Sequence, residues 1–188
     1  MVGIGALVMW LVAPAWARGG KGKEAGPVVV ITTSLGVIKA RLDAARAPQT
    51  TASFLRYVDD KFYDGTIFNR VIAGFVVQGG GYTPDLQPRT ARAPIKNEGG
   101  RARRNLKGAL AMARGDDPDS ATSHFFINVA SNPSLDYQSA ANPGYCVFGQ
   151  VVSGMDVVKK IAKVPTGVKK GLSDVPVTPV VIEAIRRE

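Results

Sequence analysis

The stretch FNRVIAGFVVQGGGYT, residues 68–83, sets one arginine, Arg70, among apolar neighbours. Phe68, Val71 and Ile72 lie before Gly74, and Phe75, Val76 and Val77 after it. These are two short β-branched and aromatic runs separated by a glycine-containing turn, which is the pattern of strands. The triplet Gly79-Gly80-Gly81 that follows has neither dinucleotide-fingerprint spacing nor a strand-turn-helix context.

The same punctuation continues outward. Apolar runs at 66–72, 75–78, 108–113, 125–129 and 145–151 alternate with turns, so the chain is mainly β, a barrel or a sandwich. Upstream, residues 28–33 and 36–42 flank Ser34-Leu35-Gly36 and read as a hairpin. Ala47-Pro48 places proline where a first helical turn accepts it, and Phe54, Leu55 and Val58 give one apolar face to a helix ending near Asp60. A second helix fits 155–162, with Val157, Val158 and Ile161 on one face, and a last strand fits 177–185, with Pro179 at an edge or bulge. The loop 82–107 is rich in proline, glycine and arginine and has no period. The Asp116 to Asp119 cluster reads as a turn with helix-cap chemistry.

With 188 residues, 45% hydrophobic and 21% charged, the chain holds one domain with an adequate core and is neither disordered nor polytopic. One cysteine, Cys146, and one histidine, His124, exclude an internal disulfide and histidine-rich or cysteine-rich metal sites. The run Tyr145-Cys146-Val147-Phe148 reads as a buried strand and its thiol as a small hydrophobe. A net charge of +9 is dispersed apart from Arg101, Arg103, Arg104 and Lys107, with no interleaved aromatics to stack bases.

Residues 2–17 are uncharged and apolar and end in Ala15-Trp16-Ala17, the small-x-small pattern of signal-peptidase cleavage, although no charge precedes Arg18. The expected organisation is a signal peptide at 1–17, a tail at 18–26 and a domain at 27–188, with the mature protein exported or periplasmic. An uncleaved anchor is the alternative, and the positive-inside rule would then put the domain in the cytoplasm.

Known catalytic patterns are few. There is no G-x-S-x-G elbow and no phosphate-binding G-x-x-x-x-G-K loop. A serine-histidine device built from Ser120 or Ser123 with His124 is disfavoured, because adjacent residues on an extended segment point to opposite faces.

Two segments are more specific. FNRVIAGFVVQGGGYT resembles the cyclophilin signature, in which a strand arginine is followed by phenylalanine and glutamine at fixed offsets, the places of Arg70, Phe75 and Gln78. GALAMARGDDPDSATSHFFINVASNPSLD, 108–136, resembles the next cyclophilin block, especially in exported bacterial members. YDGT at 63–66, PIKNE at 94–98 and YCVFGQV at 145–151 extend the resemblance over 28–186.

The resemblance implies an eight-stranded antiparallel β-barrel closed by two helices, and a peptidyl-prolyl cis/trans isomerase acting without cofactor or metal. It implies Arg70 as the catalytic residue. Phe75, Val76, Gln78, Ala113, Arg114, His124, Phe126, Leu135 and Tyr145 would bind substrate in a groove on the outer surface. The expected partners are proline-containing polypeptide clients of a monomer, with no nucleic acid and no stable membrane association after cleavage. His124 stands where glutamine is common, and a solvent-facing imidazole would titrate near neutrality. Val76 replaces a methionine, Ser134 a tryptophan and Tyr145 a histidine, which implies weak cyclosporin binding. Two alternatives stay open: a cyclophilin-fold module that grips proline segments without turnover, and nucleic-acid binding through Arg101, Arg103, Arg104 and Lys107 with a steep salt dependence.

Overall fold

The computed structural model describes residues 26–188, so the signal peptide expected at 1–17 and nearly all of the tail lie outside the described residues. The expected opening hairpin forms as β1 (Val28–Thr33) and β2 (Gly36–Leu42). It is followed by α1 (Pro48–Asp59), β3 (Thr66–Val71), β4 (Val76–Gly79), β5 (Ala109–Met112), β6 (Phe125–Asn128), β7 (Val147–Ser153), α2 (Met155–Ile161), β8 (Thr166–Lys169), β9 (Leu172–Pro176) and β10 (Val180–Arg187).

Eight strands close a barrel in the order β1-β10-β3-β4-β6-β5-β7-β2, with every pairing antiparallel. Closure removes sheet edges and turns alternate residues inward. Ile31, Ile38, Leu42, Phe68, Leu110, Phe125, Ile127 and Phe148 fill the interior with almost no exposure. The barrel is a packed core, so any site must sit on its outside.

The first helix plugs the barrel through Phe54, whose ring lies 5.2 Å from Tyr63, 5.5 Å from Phe125 and 5.0 Å from Phe148. No side chain of its own caps α1. The carboxylate of Glu98 does so from the long loop, accepting from the Thr50 amide at 2.8 Å, the Thr50 hydroxyl at 2.7 Å and the Gln49 amide at 3.2 Å. A carboxylate at this end also suits the helix dipole. The second helix starts after Gly154, whose φ of 88° and close approach to the Val37 carbonyl (a Cβ would fall 2.4 Å from it) require glycine.

Several expectations shift. The last strand begins at Val180, beyond Pro179, because Val177 donates its amide to the Pro165 carbonyl instead of a barrel neighbour. Tyr145 and Cys146 precede the strand that starts at Val147. No helix follows the Asp116 to Asp119 turn, where the Asp117 carboxylate accepts from the Asp119 amide at 2.8 Å as a local Asx turn. The hairpin β8–β9, a two-stranded sheet outside the barrel, was not expected at all. Its turn, Lys170-Gly171, has φ of 50° and 79°, the doubly positive pattern of a two-residue hairpin.

Among the described residues no helix is long and apolar enough to cross a membrane, and no cluster of His, Cys, Asp or Glu is arranged to hold a metal ion. In the basic loop Arg103 pairs with Asp43 at 2.7 Å and Arg104 with Asp136 at 3.0 Å, which ties two of the segment's cations into the protein's own surface.

Candidate active site

Strict alternation along β3 would carry Phe68 and Arg70 to the same face. Phe68 fills the barrel interior, so an uninterrupted strand would bury the guanidinium there. Asn69 prevents this. The register steps from Phe68↔Gly79 to Arg70↔Gln78, so β3 holds one residue more than β4, a bulge that turns Arg70 outward and returns Val71 to the interior.

From there one row of register partners runs across the outer face. Arg70 opposes Gln78, Gln78 opposes Phe126, Phe126 opposes Ala111, and Ala111 opposes Val147. Neighbouring strands lie about 4.8 Å apart, which puts the Arg70 and Phe126 backbones, two strands apart, about 10 Å from each other. Side chains leaning over that gap leave room for a small ring.

Val76 and Phe126, 2% and 3% exposed, form the floor with Ala109, Ala111 and Val147, a cluster separate from the barrel interior. Phe75, Ala113, Leu135 and Tyr145 pack around it half-buried. Nine of the ten residues named from the sequence, Arg70, Phe75, Val76, Gln78, Ala113, Arg114, Phe126, Leu135 and Tyr145, line one cavity of about 220 Å³. The cavity has a cation at one end and an apolar slot at the other.

The walls are braced by polar groups that the sequence reading did not single out. Asn132 donates to the Phe75 carbonyl at 3.1 Å and to the Asn128 side-chain oxygen at 2.7 Å. Asn128 donates to Asn105 at 3.2 Å, and Asn105 reaches the Leu135 carbonyl at 3.0 Å and the Asp136 carboxylate at 3.2 Å. These three side chains are at most 8% exposed, and they join the Phe75 side of the slot to its Leu135 side. A satisfied buried network of this kind fixes geometry. On the remaining wall, Arg114 Nε donates to the Gly144 carbonyl at 3.1 Å and its guanidinium lies 4.8 Å from the Tyr145 ring centre, which in turn meets Phe126 edge-on at 5.6 Å.

The Arg70 guanidinium is engaged from outside the barrel. Its Nε lies 3.5 Å from an Asp174 carboxylate oxygen of β9, another contact the sequence reading missed. The Arg70 side chain stays 44% exposed.

His124 is the exception among the named residues. Its imidazole packs over Gly81, where a Cβ would fall 1.8 Å from Nε2, and meets the Tyr82 ring edge-on at 5.4 Å. Burial holds its pKa below the usual 6.5, so the ring is a packed neutral group and not a solvent-facing one. The unfolded chain therefore binds the proton more readily than the folded one. Stability is at its full value above pH 6.5 and declines as the pH falls below it. Carboxylates titrate lower, so urea midpoints taken between about pH 7.5 and 5.5 should fall for the wild type and fall less for His124→Gln. Equal declines in the two proteins would contradict this origin.

The serine-histidine device has no geometry to support it. The Ser120 hydroxyl donates to the Asp117 carbonyl at 2.6 Å and accepts from the Gly115 amide at 2.9 Å within its turn, and the Ser123 hydroxyl is buried without a partner among the described residues. Burial pushes the Cys146 thiol up to about 11, and Thr50 Oγ1 lies 3.4 Å from its sulfur, so it is a packing group.

Comparison with known proteins meets this geometry from another direction. Residues 28–187 match the family model described as cyclophilin type peptidyl-prolyl cis-trans isomerase/CLD. The peptidyl-prolyl cis-trans isomerase cyp18 of Streptomyces antibioticus is 50% identical over 160 residues, covering 84% of this chain and 96% of that protein. Peptidyl-prolyl cis-trans isomerase B of Escherichia coli is 45% identical over 160 residues, covering 84% and 98%. The crystal structure of a Cryptosporidium parvum cyclophilin type isomerase superposes with a TM-score of 0.70 at 24% identity, covering 87% of this chain and 98% of that one, and a second crystal structure of it was obtained in the presence of the dipeptide Ala-Pro. The family match spans every strand of the barrel and both helices, and the chain belongs to the cyclophilin-type peptidyl-prolyl cis-trans isomerases.

Proposed function

We propose that this isomerase works by Arg70 stabilising the twisted amide nitrogen of an X–Pro bond while the apolar slot holds the proline ring. The observation that carries the reading is the register row that sets a permanent cation beside a dry floor of Val76 and Phe126 in one cavity. Amide resonance sets a barrier of about 18–20 kcal/mol to rotation about the X–Pro bond. As the bond twists, the proline nitrogen pyramidalises and regains a lone pair. A guanidinium N–H aimed at that lone pair binds the twisted state better than the planar one, and each tenfold in rate needs only about 1.4 kcal/mol of such preference.

The slot supplies the other half. A ring gripped by Phe75, Val76, Phe126 and Leu135 stays still while the preceding peptide turns, with that peptide held along Ala113 and Arg114. Gln78 lies between the two halves as register partner of both Arg70 and Phe126. No bond is made or broken, so the mechanism asks for no nucleophile, metal or cofactor. The substrates are X–Pro segments of polypeptide clients, and a protein crystallised with Ala-Pro shares this fold. A protease-free isomerisation assay on an X–Pro tetrapeptide, comparing wild type with Arg70→Ala, tests the reading. Equal rates for the two proteins would refute it.

The mature enzyme is further proposed to be exported, on the strength of the apolar run at 2–17 and the Ala15-Trp16-Ala17 pattern. Mass spectrometry of protein expressed from the full sequence should then give Arg18 as the first residue. An intact Met1 would refute cleavage.

A further inference from the structure

The hairpin β8–β9 contributes nothing to barrel closure, and its first strand is exposed throughout. Its second strand packs on the outside of β3 through Val175, 3% exposed, which joins Ile67 and Leu86 in a small apolar cluster of their own. Between the pairs Gly167↔Val175 and Lys169↔Leu172, β8 has one residue and β9 has two, Ser173 and Asp174. The hairpin therefore carries a bulge, and Asp174 sits in it with a φ of 60°. A left-handed backbone is uncommon for a residue other than glycine, and bulges next to active sites re-aim a side chain. Val175 is fixed against β3 while the left-handed turn swings the preceding carboxylate to within 3.5 Å of Arg70 Nε.

The nitrogen it reaches matters. A guanidinium offers five N–H groups in a rigid fork. A carboxylate drawn to Nε by charge, at ion-pair rather than hydrogen-bond geometry, biases the plane of that fork and leaves the two terminal nitrogens to the cavity. A carboxylate spanning the terminal nitrogens would instead have withdrawn them from it. The geometry points to Asp174 as a positioning residue for Arg70, a carboxylate delivered by an accessory hairpin to hold the guanidinium plane toward the bound X–Pro bond. This inference rests on the role given to Arg70 above.

Asp174→Asn tolerates the left-handed backbone and removes the charge. In the tetrapeptide assay it should lower kcat by about three- to fivefold, the size expected of a partly exposed ion pair, with KM unchanged. The Arg70 Nε–H signal in ¹⁵N-resolved NMR should move, and its exchange with water should accelerate, while the amide signals of Gly167 and Lys169 on the opposite strand of the hairpin stay in place. A kcat within 1.5-fold of wild type, a faster enzyme, or an Arg70 Nε–H signal indifferent to the substitution would each overturn the assignment. Movement of the hairpin amides together with a rise in KM would do so too, by showing a merely structural role. Arg70→Ala measured alongside separates the two readings: a large loss there with no loss in Asp174→Asn refutes only the positioning role, whereas no loss in Arg70→Ala refutes the mechanism itself.

Discussion

Arg70→Ala is expected to lower kcat for an X–Pro tetrapeptide by about 10²–10³-fold, the range found when one preorganised donor to a developing charge is removed. The effect should fall on kcat because the planar ground-state amide has its nitrogen lone pair delocalised and offers the guanidinium little to bind. KM should change by less than about threefold, since the slot that grips the proline ring is left intact. The loss corresponds to about 3–4 kcal/mol, the size measured when one preorganised donor to a developing charge is removed. Arg70→Lys should fall between the two proteins, keeping a positive charge but losing the planar fork. Folding should not intervene. The side chain is 44% exposed on the outer face, so thermal unfolding of the variant should stay within about 0.5 kcal/mol of wild type. Wild-type kcat in Arg70→Ala would leave the slot alone as the source of the activity, whereas rates equal to buffer for both proteins would favour the binding-module alternative.

Phe54→Ala is expected to destabilise the domain by about 3–5 kcal/mol, a large part of the 5–15 kcal/mol typical of a whole domain. Phe54 is the helix's plug in the barrel, fully buried against three other rings, and the rigid strands around it cannot collapse into the space it would leave. Urea denaturation read by circular dichroism would measure the loss as a lower midpoint at unchanged slope. Val168→Ala serves as the contrast. At 77% exposed on the accessory hairpin, it should change stability by no more than about 0.5 kcal/mol. A loss of under about 1 kcal/mol in Phe54→Ala would mean that the barrel relaxes around the gap, against the rigidity assumed for packed interiors.

What the sequence alone discloses depends on how local the cause is. Glycine-punctuated apolar runs gave away the barrel strands, because each run obeys its own alternation and each turn carries its own residue. The hairpin at 166–176 escaped because its first strand is exposed along its whole length, and because its turn has lysine where asparagine or aspartate would announce a doubly positive pair. The groove lining followed from the resemblance, yet the reason Arg70 faces outward did not. The bulge at Asn69 is a mismatch in count between two strands and leaves no mark in either one alone. His124 was expected at the rim because it stands where the family commonly has glutamine, but its imidazole turned to the space that Gly81 leaves by lacking a side chain. Asp174 and the asparagine braces are joined to the site only by the fold, which brings distant segments together.

The barrel's seam has its own consequence. The first strand pairs with the last, Val29 opposite Arg187, and the Glu188 amide donates to the Val28 carbonyl at 2.9 Å. A chain threaded outward from its N-terminus, at the ribosome or through a translocation pore, can build hairpins as it emerges but cannot complete the ring until residue 187 is out. Until then β1 presents an unpaired edge, and β3 lacks its partner on that side as well. Vectorial synthesis therefore leaves the ring open until its last strand emerges. Joining Glu188 to Val28 and cutting the loop 82–107 instead would move the moment of closure without altering a single strand pair.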